Sequence, residues 1–314
     1  MRTMIKPRAV RPGQTLGLVA PSSALPHPER LPAAVDALKA RGYAVKVGQS
    51  CLARYGNLAG EDALRAQDIN QMFRDREVDA ILCVRGGYGA TRIVPMLDYE
   101  AIGNNPKVFS GYSDVTALHS AIGERTGLVT FHGLMAVSDL AGETVDAFSE
   151  AAFWRVVGEA APAGLLENPP EWPRETLVGG RAQGRLIGGN LSLLAACMGT
   201  PYAYGFDGAI LFIEEVSEQP YAVDRMLTQL RNAGAFERCA GVVLGEFTNC
   251  QSREGEPALP LRQIFLDCIG PAGKPILAGL RCGHCTPKLT LPFGVACALD
   301  ADARTLTVLE SAVV

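Results

Sequence analysis

The first half of the chain alternates between short apolar runs and stretches in which apolar residues recur at helical spacing. Continuous apolar runs such as residues 15–20 and 79–84 predict buried strands, because strands of a parallel sheet covered on both faces lack polar alternation. Between them, Leu31, Val35 and Leu38 share one helical face. The other elements predicted here are strands at 43–47, 107–109 and 128–131 and helices at 28–41, 61–74 and 145–157. This order predicts an α/β domain with a doubly wound, mostly parallel sheet and helices on both faces.

A proline-rich stretch separates this half from the next. Its prolines are Pro162, Pro169, Pro170 and Pro173, and such a composition is typical of a linker. We therefore expect an N-terminal domain at 1–160, a linker at 161–177 and a C-terminal domain at 178–314. The elements predicted in the second half are strands at 209–213 and 242–244, a helix at 222–233 and a hairpin around 300–303. This mixture predicts an α+β domain with a mixed, partly curled sheet.

Composition narrows the classes of function. The 314 residues are 48% hydrophobic and 20% charged, so the chain can build a large core. The net charge is −4 without a basic block, which argues against a nucleic-acid partner and a membrane-surface partner. No apolar run approaches the length of a membrane span, and the one near the start is too short for a signal peptide. Most of the nine cysteines lie within apolar runs, so we expect reduced thiols and a cytoplasmic location.

One cysteine pair could instead hold a metal ion. Cys282 and Cys285 flank His284, and two cysteines at this spacing around a histidine can begin a zinc site. A second pair of ligands at suitable spacing is missing, and the other cysteines and histidines are scattered. We therefore expect no metal and no cofactor.

Ser113 lies where a predicted strand meets a predicted helix. Gly111 ends the apolar run, and Val115, Leu118 and Ile122 then share a helical face. A hydroxyl at such a junction projects from the carboxyl edge of a sheet, where the backbone N–H groups of the new helix also point. Two interpretations are open: Ser113 caps the helix, or it is an exposed nucleophile beside donors for an oxyanion.

A serine nucleophile needs a base within hydrogen-bond reach. His119 lies on the apolar face of the predicted helix and is expected in the core, whereas His27 lies between prolines and is expected to face solvent. His132 ends a neighbouring strand, and His284 lies in a glycine-rich loop. Both positions suit a catalytic base.

The base in turn needs an acid to orient it. Glu214, Glu215 and Glu246 follow apolar strands, where a carboxylate is unusual unless it is paired or catalytic. Surface ion pairs or helix-start charges would also explain them. Spacing alone does not choose between the three.

Taken together, the motifs resemble those of the LD-carboxypeptidases, serine peptidases of peptidoglycan recycling with a Ser-Glu-His triad. The likeness runs nearly from end to end and rests on five groups of motifs in a fixed order. They are VRGGYG at 84–89, GYSD at 111–114, GGNL at 188–191, ILFIEE at 210–215 with PY at 220–221 and DRML at 224–227, and GH at 283–284 with TLPFG at 290–294.

This resemblance assigns the nucleophile to Ser113, the acid to Glu214 and the base to His284. Glu215 stands where the family usually has Asp, which leaves open which carboxylate orients His284. The expected oxyanion donors are the backbone N–H groups of Gly87 and Asp114. The nucleophile would come from the first domain and the acid and base from the second, so the site is expected in the cleft between them.

The resemblance also implies a substrate and an assembly. The expected substrate is a small peptide, the murein tetrapeptide, which is cut before its terminal D-Ala, and a homodimer is expected. The candidates for substrate binding, including the free carboxylate, are Arg85, Tyr88, Asn190 and Arg225. Three alternatives stay open: a relative of the microcin C7 immunity peptidase that cuts an aminoacyl-nucleotide amide, a non-catalytic binding protein, and a zinc hydrolase.

Overall fold

The first sheet is built almost entirely from the first half of the chain. The computed structural model describes residues 3–142 and 145–314. In spatial order the six strands are Leu291–Phe293 (β12), Thr130–His132 (β5), Val108–Gly111 (β4), Ala80–Cys83 (β3), Thr15–Val19 (β1) and Ala44–Val47 (β2). The five strands from the first half pair in parallel, and β12 pairs antiparallel with β5. The predicted doubly wound, mostly parallel sheet is confirmed.

Helices cover both faces of this sheet. They are Arg30–Ala40 (α1), Asp62–Arg74 (α2), Ala90–Ile93 (α3), Tyr99–Asn104 (α4), Thr116–Thr126 (α5), Ala136–Leu140 (α6) and Ala147–Gly158 (α7). Successive residues of a strand point to opposite faces, so Leu82 enters one apolar cluster while Ile81 and Cys83 enter another. Burial on both faces explains why these strands carry no polar alternation.

The second sheet is mixed and has eight strands. In spatial order they are Pro162–Leu165 (β6), Thr305–Ser311 (β14), Ala296–Asp300 (β13), Arg181–Asn190 (β8), Ile210–Val216 (β9), Gly241–Thr248 (β10), Ile276–Ala278 (β11) and Glu175–Val178 (β7). The start of β8 pairs antiparallel with β13 and its end pairs in parallel with β9, so the sheet curls along this strand. The helices of this half are Leu191–Cys197 (α8), Pro220–Asn232 (α9), Ala235–Arg238 (α10) and Leu261–Cys268 (α11). The expected α+β architecture is confirmed.

The stretch at 161–177 contains regular structure at both ends. It supplies β6 and all but the last residue of β7, the two edge strands of the second sheet. Edge strands tolerate proline because one side of the strand needs no donor, and Pro162 itself lies in β6. The proline-rich composition of the stretch therefore did not indicate these strands. The domain limits 1–160 and 178–314 stay predictions.

The two halves meet at the carboxyl ends of their central strands. The Thr116 hydroxyl accepts a hydrogen bond from the backbone N–H of Asn190 at 3.0 Å, and the His132 and Phe212 rings lie 5.3 Å apart. The start of α5, which follows Ser113, thus lies against the end of β8, and the end of β5 lies against β9, which carries Glu214.

Two further expectations concern the cell compartment. In the part of the chain that the structure describes, no helix is long and apolar enough to cross a membrane. Among the same residues all cysteines are free thiols, and only Cys285 is not buried. Burial in apolar surroundings raises the pKa of Cys297 to about 12, as expected for a thiol that serves as a small core residue.

Candidate active site

Ser113 is held in a strained turn at the carboxyl edge of the first sheet. After β4, the chain passes through Tyr112 into a single 3₁₀ turn, Ser113–Val115, and then into α5. Ser113 has φ of +66°, a conformation that costs a non-glycine residue about 1–3 kcal/mol. The cap interpretation is wrong, because Tyr112 and Val115 hold the N-cap positions of the turn and of α5.

The neighbouring residue ties this turn to the glycine-rich loop at 85–89. The Asp114 carboxylate accepts a hydrogen bond from the backbone N–H of Ala90 at 2.8 Å. Asp114 is buried, and desolvation raises its pKa above the usual range. The contact anchors the start of α3 against the Ser113 turn, so the loop and the nucleophile candidate are held as one unit.

Gly86 allows the loop to approach Ser113 closely. A Cβ atom at position 86 would lie 2.7 Å from Ser113 Cβ and 3.0 Å from its Oγ. Only a residue without a side chain fits there. The backbone of the loop can therefore lie directly beside the Ser113 hydroxyl.

Glu214 and His284 form a buried hydrogen-bonded pair. Glu214 lies in β9 and is fully buried, whereas His284 lies in the loop between β11 and β12 with its side chain 18% exposed. Glu214 Oε2 lies 2.7 Å from His284 Nδ1. The other carboxylate oxygen has no hydrogen-bond partner among the described residues. An Nδ1–H donated to Glu214 leaves Nε2 as the acceptor that a general base needs.

Two features of the second half fix the His284 loop. Gly283 has φ of +110°, and a Cβ there would lie 2.6 Å from Glu214 Oε2, so glycine is required for the approach. The Thr248 hydroxyl, at the end of β10, donates to the His284 carbonyl at 2.8 Å. His284 is therefore held by a hydrogen bond to its backbone carbonyl as well as by the hydrogen bond of its ring to Glu214.

Glu215 has a different set of partners. Its carboxylate accepts hydrogen bonds from the Asn190 amide, from the backbone N–H and hydroxyl of Ser192, and from the backbone N–H of Val216. Side chains alternate between the faces of a strand, so Glu214 and Glu215 point apart. The structure pairs Glu214, not Glu215, with His284.

The remaining base and acid candidates lie elsewhere. His119 is fully buried, and burial lowers its pKa to about 4, as expected for a core histidine. His27 is exposed and pairs with Glu29. His132 is buried, and desolvation lowers its pKa well below the usual value. Glu246 pairs with Arg281 at 2.7 Å.

The candidate substrate-binding residues differ in their exposure and in the hydrogen bonds that they already make within the fold. The Arg85 guanidinium donates to the carbonyls of Ala24 and Gly86 at 2.8 and 3.1 Å, and no acidic partner for it lies within the described ranges. Tyr88 is 52% exposed. Asn190 caps α8 and binds Glu215, so its amide is engaged within the fold.

Arg225 lies on the surface of α9. It is exposed, and its guanidinium carbon lies 5.6 Å from the centroid of the Tyr221 ring. A contact between Arg225 and substrate stays a prediction.

Comparison with known proteins decides the family. Models of the LD-carboxypeptidase N-terminal and C-terminal domains match residues 16–133 and 183–299. A probable murein peptide carboxypeptidase of Bacillus subtilis (strain 168) is 41% identical over 303 residues, which cover 96% of this chain and 94% of that protein. The chain belongs to the LD-carboxypeptidase family. The resemblance drawn from the motifs is confirmed.

Solved structures agree with this family. A muramoyltetrapeptide carboxypeptidase from Oxalobacter formigenes matches with a TM-score of 0.82 at 29% identity, covering 94% of this chain and 98% of that one. The microcin C7 self-immunity protein MccF, in an inactive-mutant apo state, matches with a TM-score of 0.90 at 25% identity, covering 98% and 99%. Both matches span the two halves of this LD-carboxypeptidase.

The zinc alternative finds no support in the geometry of this LD-carboxypeptidase. Within the described ranges, no three His, Cys, Asp or Glu side chains are grouped closely enough to hold a metal ion. The Cys282 and Cys285 thiols donate to the carbonyls of Leu289 and Pro287. His284 is turned toward Glu214.

The sequence did not indicate two of the contacts around His284. The Tyr112 ring packs edge-to-face on the imidazole, with centroids 5.1 Å apart and an interplanar angle of 77°. The second contact is the Thr248 hydroxyl. Position in the chain was the available sequence signal for these contacts. Tyr112 directly precedes Ser113, and Thr248 ends a strand.

Replacing Gly86 with alanine is expected to lower the kcat of this LD-carboxypeptidase by about 10²-fold, because a displacement of roughly 1 Å at a reacting group has that effect. The new methyl group would displace Ser113 Oγ. Steady-state kinetics on a peptide substrate measures the loss. Gly270→Ala is the control, since a Cβ there meets nothing within 4 Å. Equal kcat values for the two variants would contradict the expectation.

Proposed function

We propose that this chain is a serine-type LD-carboxypeptidase that releases the terminal D-Ala of murein tetrapeptides in peptidoglycan recycling. The observation that carries the proposal is the buried Glu214–His284 hydrogen bond at the edge where Ser113 projects. The relatives named for murein peptides support the substrate class. A homodimer and a cytoplasmic location stay part of the proposal.

The first chemical step is acylation. Ser113 Oγ attacks the carbonyl carbon before the terminal D-residue while His284 Nε2 takes its proton. Glu214 stabilises the imidazolium that forms. His284 then gives the proton to the leaving amine, the C–N bond breaks, and the free D-amino acid departs. Water, activated by the same imidazole, releases the acyl group from Ser113.

Backbone donors stabilise the tetrahedral oxyanion. The N–H of Asp114 belongs to the strained 3₁₀ turn, and that of Gly87 follows Gly86, which lies against Ser113. These two N–H groups are the proposed oxyanion hole. Donors that are fixed before the reaction need no reorganisation when charge develops, and removing one typically lowers kcat by about 10²–10³-fold.

Arg85 is the proposed partner of the substrate carboxylate. Its guanidinium is held by backbone carbonyls rather than by an acid, so its charge is not neutralised within the fold. Burial lowers the pKa of Arg85 below its usual value, and an anionic ligand would offset that desolvation. Tyr88, exposed in the same loop, would form the adjoining wall.

Ser113 and His284 come from different halves of the chain. Among the described contacts no hydrogen bond joins Ser113 Oγ to His284. In sites without substrate such bonds are often long and tighten only in the reactive complex. The proposed proton transfer therefore depends on how the two halves are positioned relative to each other.

The substrate assignment is tested by incubating the purified protein with the tetrapeptide L-Ala-D-Glu-diaminopimelate-D-Ala. Mass spectrometry should show the tripeptide and free D-Ala in equal amounts. Ser113→Ala protein serves as the control. Absence of D-Ala release by the wild-type protein would refute the substrate assignment.

The match to MccF, which has also been solved in complex with aspartyl sulfamoyl adenosine, supports a second candidate, hydrolysis of an amide that joins an amino acid to a nucleotide. The same triad would act, with a different group leaving. An aminoacyl-nucleotide analogue assayed beside the tetrapeptide separates the two. We expect the tetrapeptide to have the higher kcat/KM, because the murein peptide relative is the more similar in sequence.

A further inference from the structure

Tyr112 is connected to both Ser113 and His284, the proposed nucleophile and base. Its backbone leads directly into the Ser113 turn, and its ring packs against the His284 imidazole. The residue is only 8% exposed, so the ring has little freedom to move. Whatever fixes the Tyr112 ring therefore also limits where His284 can lie relative to Ser113.

A buried ion pair fixes that ring. Lys288 Nζ lies 2.8 Å from Asp139 Oδ1, and the side chains are 6% and 11% exposed. The same ammonium lies 4.1 Å from the centroid of the Tyr112 ring, and the Tyr112 hydroxyl donates to Asp139 Oδ1 at 3.3 Å. Burial disfavours the ammonium, but the Asp139 charge and Tyr112 together hold the pKa of Lys288 above its usual value.

The three members of this cluster come from three segments. Asp139 lies in α6, where its other oxygen accepts from the Met135 backbone N–H at 2.8 Å. Lys288 lies between the His284 loop and β12, and its backbone N–H donates to the Ser149 hydroxyl at 2.8 Å. The cluster therefore connects the Ser113 turn to the chain that leaves His284.

Stability alone does not account for such a pair. Apolar residues of similar volume often stabilise a core at least as well as a buried ion pair does. The pair fixes the orientation of the Tyr112 ring, because a hydrogen bond and a cation–π contact each depend on angle as well as on distance. The Lys288–Asp139–Tyr112 cluster lies at the point where the two halves must align.

We propose that Tyr112, fixed by the Lys288–Asp139 pair, is a positioning residue that sets the orientation of His284 relative to Ser113. This inference rests on the proposed function, in which His284 takes the proton of Ser113. An imidazole free to rotate would still bind Glu214 part of the time, but its Nε2 would point away from the hydroxyl more often.

The test compares Tyr112→Leu, Tyr112→Phe and Lys288→Met by steady-state kinetics of D-Ala release. Tyr112→Leu and Lys288→Met should each lower kcat by about 10²-fold with little change in KM. Tyr112→Phe keeps the ring and should recover most of the loss. Lys6→Met is the matched control, since Lys6 also pairs with a carboxylate, that of Glu310, but contacts neither Ser113 nor His284. Its kcat should equal that of the wild type.

Thermal unfolding of each variant separates misfolding from misalignment. If Lys288→Met does not fold, the two Tyr112 variants still decide, because both leave the ion pair in place. A folded Tyr112→Leu variant with wild-type kcat would overturn the inference, and so would a change confined to KM. Failure of the proposed function looks different: D-Ala release by the wild-type protein would be absent or would survive Ser113→Ala.

Discussion

The Ser113→Ala variant is expected to lose nearly all hydrolytic activity. In enzymes with a triad, removing the nucleophile lowers kcat by roughly 10⁶-fold, and the remainder comes from the oxyanion donors and binding. KM should change little, because the hydroxyl contributes to the reaction and not to ground-state binding. Release of D-Ala from the tetrapeptide, followed by mass spectrometry over hours, measures the residual rate.

The stability of this variant should rise slightly or stay unchanged. Ser113 makes no side-chain hydrogen bond among the described residues, so its removal leaves no partner unsatisfied. Alanine keeps the left-handed strain at position 113. Ser252→Ala, at an exposed position, is the matched control and should keep full activity. Activity in Ser113→Ala protein close to that control would assign the chemistry to another group.

The second large effect is expected for the Glu214→Gln variant, which should lose most of its kcat. The amide is the same size as the carboxylate, but it carries no charge for the imidazolium and can donate to Nδ1, which favours the wrong tautomer of His284. A comparable change in a serine protease triad lowers kcat by about 10⁴-fold. A pre-steady-state assay of the first turnover should show slower acylation, and deacylation should slow as well because it uses the same imidazole.

Glu215→Gln is the natural control for this variant. It makes the same chemical change one residue along the strand, in a carboxylate that binds Asn190, Ser192 and Val216 instead of His284. We expect a loss of about 1–3 kcal/mol in the free energy of unfolding, since each carboxylate oxygen accepts two hydrogen bonds and an amide NH2 in place of either oxygen would face at least one donor. Its kcat should stay within tenfold of the wild type. If Glu215→Gln were the more damaging of the two for kcat, the roles of the carboxylates would be reversed.

The local features of the site could be predicted from the sequence, whereas most of its contacts could not. The apolar run, Gly111 and the helical spacing after it are signals within about ten residues, and they placed Ser113 at a strand end. The Glu214–His284 hydrogen bond joins residues 70 positions apart. Only the resemblance to a family brought those two together in advance.

Some features differ from the sequence interpretation for identifiable physical reasons. The proline-rich composition at 161–177 gave no indication of the edge strands at its two ends, because an edge strand accepts Pro162 and the other three prolines lie between the strands. Ser113 had the chemistry of a cap, yet its positive φ takes it out of the cap position. The sequence did not predict the burial of Lys288. Lysine is rarely buried without a partner, and the sequence does not reveal that partner.

The pairing of β12 with β5 has a consequence for the order of folding during synthesis. His132 and Leu291 are paired across about 160 residues. At typical translation rates, the ribosome takes on the order of ten seconds to add that much chain. Throughout that time the nascent first sheet presents the unpaired edge of β5, the kind of edge to which other strands add. During the interval between the synthesis of β5 and that of β12, this edge is therefore open to pairing with other chains.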